Sequence, residues 1–257
     1  MIKTLSWNVN GIRACHRHGF VDVMQKTKAD IVGLQEVRAL PDQIPEDVKL
    51  LTTYPHQYYF AAEKKGYSGV AILSKQKADD LIEGLGVKDF DKEGRVITGV
   101  FKELAYLSIY FPNSQDGGKR VAYKIEFCLA LQEWLKKISK KYPDKPIVVA
   151  GDYNIAHEEI DLARPDDNHN SAGFLPQERE WMSVFLKSGW IDTYRKLHPD
   201  SVKYSWWSAR TQARERNIGW RIDYHAIHEK FVNRIQSADI LDSVYGSDHC
   251  PVTLTLS

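Results

Sequence analysis

The run Ile147-Val148-Val149-Ala150 has no polar face, so a strand built from it must be covered on both sides. Similar β-rich runs recur along the chain. The strands predicted are Ile2–Asn8, Ile31–Gln35, Gly69–Leu73, Val96–Phe101, Ala105–Tyr110, Ile147–Ala150, Ile222–Ile227 and Val252–Leu256. Apolar periodicity predicts helices over Phe20–Lys26, Lys119–Lys140 and Gln177–Leu186. In the second helix, Val121, Ile125, Cys128, Leu129, Leu131, Leu135 and Ile138 keep to one face, with Lys136, Lys137, Lys140 and Lys141 towards water. Two packed sheets with helices outside satisfy these demands. A doubly wound α/β sheet does so equally, and periodicity does not separate them.

At 257 residues the chain suits one large domain over 1–257, able to bury about 75% of its unfolded surface. No apolar run reaches the ~18 residues needed to span a bilayer. The opening stretch, Met1 to Val9, lacks a basic leader and a cleavage site, so it does not read as a signal peptide. Cys15, Cys128 and Cys250 show neither disulfide arithmetic nor Cys-x-x-Cys spacing, which points to reduced thiols and a cytoplasmic protein. With a net charge of +1, any nucleic-acid partner must be met by local separation, with bases at a rim and acids at the chemistry.

Polar residues follow at once where several strands stop. Asn8-Val9-Asn10, Gln35-Glu36, Tyr110-Phe111-Pro112-Asn113 and Asp152-Tyr153-Asn154 end four of them. Asp223-Tyr224 lies at the start of another, and Ser247-Asp248-His249 precedes the last. Asn, Asp and Gly mark turns wherever strands stop, which accounts for any single one of these sites. Together they can converge on one rim. Oxygen donors without a Cys/His cluster suit a hard cation such as Mg²⁺, with Glu36 as anchor and Asn10 or Asp248 assisting. Asp152 is placed to orient or deprotonate water, and His249 to supply a proton or a positive charge.

Other motifs do not hold. Gly66-Tyr67-Ser68-Gly69 lacks the final glycine of a nucleophile elbow. Ser247, Asp248 and His249 are contiguous, which does not suit a hydrolytic triad. The Asp89-x-Asp91-x-Glu93-Gly94 stretch reaches Val100 where an EF-hand needs Glu. His16 and His18 have no third ligand nearby in sequence.

The segments SWNVNGIRA (6–14), ADIVGLQEVR (29–38), KKGYSGVAILSK (64–75), FDKEGRVI (90–97), YFPN (110–113), VAGDYNIAHEEIDLARP (149–165), GFLPQEREW (173–181), YSWWSARTQARERNIGWRIDY (204–224) and GSDHCP (246–251) run in order from end to end. Together they resemble the exonuclease III family of abasic-site (AP) endonucleases, within the deoxyribonuclease I-like endonuclease/exonuclease/phosphatase group. The resemblance implies a four-layered α/β sandwich, two packed mixed β-sheets flanked by helices, with the site at one rim.

It also implies residue roles. Glu36, Asn10 and Asp248 match metal-site positions for Mg²⁺, with Mn²⁺ able to substitute. Asn8 matches the asparagine that sets the neighbouring acid, and Asp152 the aspartate that aligns or activates water. Asn154 matches a phosphate contact, and Tyr110 the tyrosine whose hydroxyl approaches the scissile phosphate. Asp223 and His249 match a carboxylate–imidazole pair that keeps the ring cationic. Implied DNA contacts are Arg13, Lys65, Tyr67, Arg95, Asn113, Arg120, Tyr123, Lys124, Asn168 and Arg210, with Trp206 and Trp220 lining a pocket for a base-less sugar. Lys64 lies in the same backbone-contacting segments, and Arg210, Arg214, Arg216 and Arg221 form a second basic cluster beside the tryptophans. Asp116 stands where some members carry an inserting arginine, which argues against intercalation through that loop.

The implied activity is hydrolysis 5′ to an abasic site in double-stranded DNA, with 3′-phosphodiesterase and 3′→5′ exonuclease activity. The implied state is a monomer, cytoplasmic and nucleoid-associated when bound to DNA. A same-fold phosphatase or RNA-directed phosphodiesterase is the alternative, opposed by the NIGWRIDY segment. A non-catalytic damage-binding module is opposed by the intact set Glu36, Asp152, Asp223 and His249.

Overall fold

The computed structural model describes residues 1–210 and 212–257; Thr211, within the 204–224 segment, lies outside the described residues. In chain order the strands are β1 (Ile2–Asn8), β2 (Ile31–Gln35), β3 (His56–Phe60), β4 (Val70–Ser74), β5 (Asp80–Glu83), β6 (Val96–Val100) and β7 (Ala105–Tyr110). They continue with β8 (Ile147–Asp152), β9 (Trp190–Asp192), β10 (Trp206–Trp207), β11 (Gly219–Trp220), β12 (Asp223–His228), β13 (Ile235–Ile240) and β14 (Val252–Leu256). The helices are α1 (Ile12–Arg17), α2 (Phe20–Thr27), α3 (Glu46–Lys49), α4 (Lys88–Asp91), α5 (Val121–Lys141), α6 (Pro176–Lys187) and α7 (Thr193–Leu197).

One sheet has the order β13-β14-β1-β2-β4-β3 and the other β5-β6-β7-β8-β12-β9. Each is mixed, since β1–β2 and β7–β8 run parallel among antiparallel neighbours. Three buried cores define the layers. Leu5, Trp7, Val32, Leu34 and Leu73 of the first sheet pack with Ile12, Phe20 and Met24 of α1 and α2. Ile72, Ile97, Tyr106, Val148, Ala150 and Leu254 fill the space between the sheets. Leu107, Ile109 and Val149 meet Phe127, Leu131, Leu135, Trp181 and Phe185 of α5 and α6. Helix, sheet, sheet and helix make the four-layered sandwich, and the doubly wound alternative is excluded.

The two-residue period of a strand explains this division. In β1, Leu5 and Trp7 enter the helix-side core, whereas Ser6 and Asn8 point between the sheets, where they bond Gln35 and Asp152. Gly33 lets the sheets approach at one point: a Cβ there would lie 2.7 Å from the Tyr106 hydroxyl. The helix over 121–141 buries Phe127, Cys128, Leu131, Leu135 and Ile138, but Leu129 is 54% exposed, which corrects its predicted place on the buried face. Leu129 sits one residue past Cys128, about 100° around the helix and clear of the stripe.

Candidate active site

Strand register puts three site residues side by side. Tyr110 pairs with Asp152 across β7–β8, and Asp152 with Asp223 across β8–β12. From the other sheet, Asn8 donates one amide to two acids, at 2.8 Å to Asp152 Oδ2 and 3.0 Å to Glu36 Oε2. The fully buried Asn8 thus ties the sheets together under the rim. Its own Oδ1 accepts the Asn10 backbone N–H at 2.9 Å.

Immediately beyond the strands, Asn10, Glu36 and Asn154 have φ of 44°, 49° and 51°. Left-handed backbone is unfavourable for a glutamate, and strain of this kind concentrates where a side chain must be aimed. Glu36 Oε1 is held by Arg38 at 2.6 Å. Asp152 Oδ1 accepts the Asn154 N–H at 2.8 Å, and Oδ2 accepts Asn154 Nδ2 at 3.2 Å.

His249 lies between two acids, with Nδ1 2.8 Å from Asp223 Oδ2 and Nε2 3.9 Å from Asp152 Oδ2. Burial opposes the imidazolium, yet Asp223, Asp152 and Asp248 outweigh it and raise the pKa to about 10. Burial pushes Asp152 up to about 7, with Asp223 adding to the rise and His249 opposing it. Burial also works against the Asp248 anion, but the His249 charge and hydrogen bonds from Trp206, Asn10 and Ser247 hold it below the usual carboxylate range. Burial and the neighbouring Glu36 charge keep Tyr110 a neutral phenol, well above its ordinary pKa.

A cleft of about 310 Å³ gathers Asn10, Glu36, Arg38, Tyr110, Asn113, Asp152, Asn154, Trp206, Trp220, Asp248 and His249. Asn8 and Asp223 lie buried beneath it. Trp206 and Trp220 stand edge to face, centroids 6.2 Å apart, across the β10–β11 ribbon. Another cavity, of about 250 Å³, lies at the opposite strand ends near Ile2, Ile31 and Phe101, away from this set.

The implied DNA contacts divide. Arg13 is exposed beside Arg17 and Arg38 in a basic groove, and Lys65 and Arg210 are exposed. Half-buried Tyr67 accepts bonds from Arg95 and Arg120, and Arg120 stacks on Tyr123 at 4.4 Å. Asn168 spends its amide on the Arg164 carbonyl and lies outside the cleft lining. Two expectations are corrected. Lys124 is wholly buried and bonds Glu178 and the Asn154 carbonyl, so its ammonium cannot reach a phosphate. Arg95 is 2% exposed, bonded to Glu93, Tyr67 and the Tyr110 carbonyl, so it supports Tyr110 from behind. Arg221, counted in the basic cluster, is likewise buried between Asp161 and Asp192.

Arg38 and Ser205 are not among the residues the sequence marks. Arg38 lies two residues after Glu36, on the motif itself, and that proximity was the available signal. Ser205 donates to Asp223 Oδ2 at 2.7 Å. It sits next to Trp206 with nothing in its spacing to mark it.

A sequence model described as the endonuclease/exonuclease/phosphatase family matches residues 5–249. The chain belongs to that family. Within it, the exodeoxyribonuclease of Bacillus subtilis is 44% identical over the whole of both chains. The DNA repair nuclease APEX1 of Danio rerio is 38% identical over the full chain and 82% of its own length. A solved AP endonuclease from Archaeoglobus fulgidus superposes with a TM-score of 0.88 at 27% identity, covering all of both chains.

For a metal-dependent endonuclease/exonuclease/phosphatase-family member, two donor groups need weighing. Asp152, Asp223 and His249 bring ligand atoms within 4.8 Å of one another. Asp223 Oδ2, however, already bonds the His249 ring and Ser205, and a cationic imidazole has no lone pair to give. Glu36, Asn10 and Asp248 instead line the open cleft with hard oxygen atoms, and the three cysteines are buried elsewhere. That chemistry fits a hard divalent cation that keeps several waters.

Proposed function

We propose that this chain is a Mg²⁺-dependent DNA repair nuclease that hydrolyses the phosphodiester 5′ to an abasic site in duplex DNA and also clears blocked 3′ ends. The observation that carries the reading is the single cleft in which Asp152, with a pKa near 7, faces a cationic His249 beside a two-tryptophan wall. Relatives named exodeoxyribonuclease and DNA repair nuclease, aligned over the whole of the first and 82% of the second, support it.

In this mechanism Asp152, aimed by Asn8 and Asn154, accepts a proton from the attacking water. His249, held by Asp223, presents a fixed positive charge to the developing pentacovalent phosphate. Tyr110 donates its phenolic hydrogen bond to the same group, and Asn154 and Asn113, themselves bonded at 2.9 Å, flank the phosphate. A divalent cation bound by Glu36, Asn10 and Asp248 would offset phosphate charge and stabilise the leaving oxyanion. Trp206 and Trp220 admit a flipped base-less sugar, which costs less to extrude than a stacked nucleotide. Arg13, Lys65, Arg120 and Arg210 position the duplex backbone without reading sequence. Buried free thiols suit a reducing cytoplasm.

The test is a labelled duplex carrying one tetrahydrofuran abasic analogue, which cannot undergo β-elimination. A Mg²⁺-dependent nick on its 5′ side, abolished by EDTA and largely lost in Glu36→Ala, is expected. A folded protein that leaves the strand intact sinks the substrate assignment.

A further inference from the structure

Lys124 of α5 and Glu178 of α6 form an ion pair at 2.7 Å with both side chains wholly buried. Removing two charges from water costs several kcal/mol per ion, and an apolar pair of similar volume is often as stable or more so. A fold that needed only to fill this space therefore has a less costly solution. One part of the arrangement is ordinary: Glu178 accepts the Leu175 N–H at 3.0 Å, as a capping glutamate at the start of α6 does.

The remaining bonds leave the helices. Glu178 Oε2 also accepts the Gly173 N–H at 2.7 Å, and Oε1 accepts the Ser114 hydroxyl at 2.6 Å. Lys124 Nζ donates to the Asn154 carbonyl at 2.6 Å. Each of these three segments faces the cleft. Ser114 follows Asn113. Gly173 lines the cleft itself, where a Cβ would lie 3.3 Å from the Trp220 ring. Asn154 bonds Asp152, Asn113 and the Phe111 carbonyl. One buried pair thus holds the backbone behind the water-activating acid and behind the aromatic wall.

We propose that Lys124–Glu178 is a positioning pair for the reaction, fixing Asn154 and the Gly173 segment so that Asp152 and Trp220 keep their places around the substrate. This rests on the reading of the cleft as a phosphodiester-cleaving site. The pair touches no substrate atom and acts through Asn154 and Gly173.

The experiment compares wild type with the apolar double variant Lys124→Met/Glu178→Leu, which leaves no unpaired charge. Melting temperature, kcat and KM on the tetrahydrofuran duplex, the pH–rate profile, and amide exchange at Gly173 and Asn154 are measured. The expected result is a folded variant whose kcat falls roughly 10- to 100-fold, because small misplacements at a reacting centre cost that much. KM rises as the Trp220 wall loosens, by less than kcat falls, amide exchange at Gly173 accelerates, and the acid limb of the pH profile moves upward as Asp152 loses Asn154's hydrogen bond. A folded variant with wild-type kcat and an unmoved acid limb overturns the proposal and leaves the pair as packing. If the double variant unfolds, Lys124→Met/Glu178→Gln, which likewise leaves no unpaired charge and keeps an acceptor at the start of α6, carries the same two outcomes. Failure of the wild type to nick the analogue would sink the substrate reading instead, while unaltered exchange at Gly173 and Asn154 in the variants would sink the positioning claim by itself.

Discussion

At pH 7 the two groups that face each other across the cleft are poised differently. Asp152 is near half-protonation, and His249 keeps its proton until about pH 10. Cleavage under kcat/KM conditions should therefore rise through about pH 7 as Asp152 gains its charge, and fall through about pH 10 as His249 loses its own. Asp223→Asn removes a main source of the histidine's shift. The alkaline limb should then retreat toward about 6.5, with a rate loss on the order of 10²- to 10³-fold. A profile recorded for both proteins decides this, and an unmoved alkaline limb would assign it to another group. At this scale the sequence named Asn8, Glu36, Asp152, Asp223 and His249, because motif and strand-end chemistry coincide there. It misplaced Lys124 and Arg95, because a basic residue beside a binding segment looks the same whether it faces phosphate or a buried Glu178 or Glu93.

Among the elements, the central strands were legible and the margins were not. β3, β5, β9 and β13, none of them predicted, are the four edges of the two sheets. Edge strands meet water on one side and carry polar residues, as in HQYYF and IQSADI, so neither continuous apolarity nor clean alternation marks them. The sequence pattern stops two residues short of the end of β8 because Gly151 and Asp152 look like a turn, whereas the ladder continues through both to deliver Asp152 to the rim. On α5, the true buried stripe includes Leu131 and excludes Leu129. Leu131→Ala should cost about 2–5 kcal/mol of stability, and Leu129→Ala within about 0.5 kcal/mol. Urea midpoints for the two variants measure the difference, and similar losses would contradict the packing described for this helix.

For the molecule as a whole, the site charges couple folding to pH. Asp152 and His249 both have folded pKa values above their ordinary ones, so at these positions the folded chain binds more protons than the unfolded one. Their contribution therefore declines as pH rises, for Asp152 between 3.8 and about 7 and for His249 between 6.5 and about 10. The melting temperature should fall between pH 7 and pH 10, and more steeply in wild type than in Asp223→Asn. Equal slopes would mean that the His249–Asp223 pair contributes nothing to folding. The layer order was likewise a whole-molecule property. Periodicity leaves two architectures open; the nine ordered segments, through the resemblance they carry, point to the sandwich, and the path of the chain bears that out.

The pairing of β1 with β14 reaches further than architecture. Ile2 lies against Leu256 and Ser6 against Val252, so the strand that ends in Asn8 is flanked on one side by a strand far from it in sequence. Asp248 and His249, just ahead of β14, come from the same distant stretch. β7 and β8 can pair across a short stretch of chain, yet the cleft has no imidazole and its first strand stays open along one edge until the distant stretch around β14 folds back onto it. A cleft divided between such distant stretches is thus complete only once the longest-range pairing has formed, and a partly folded chain does not carry it.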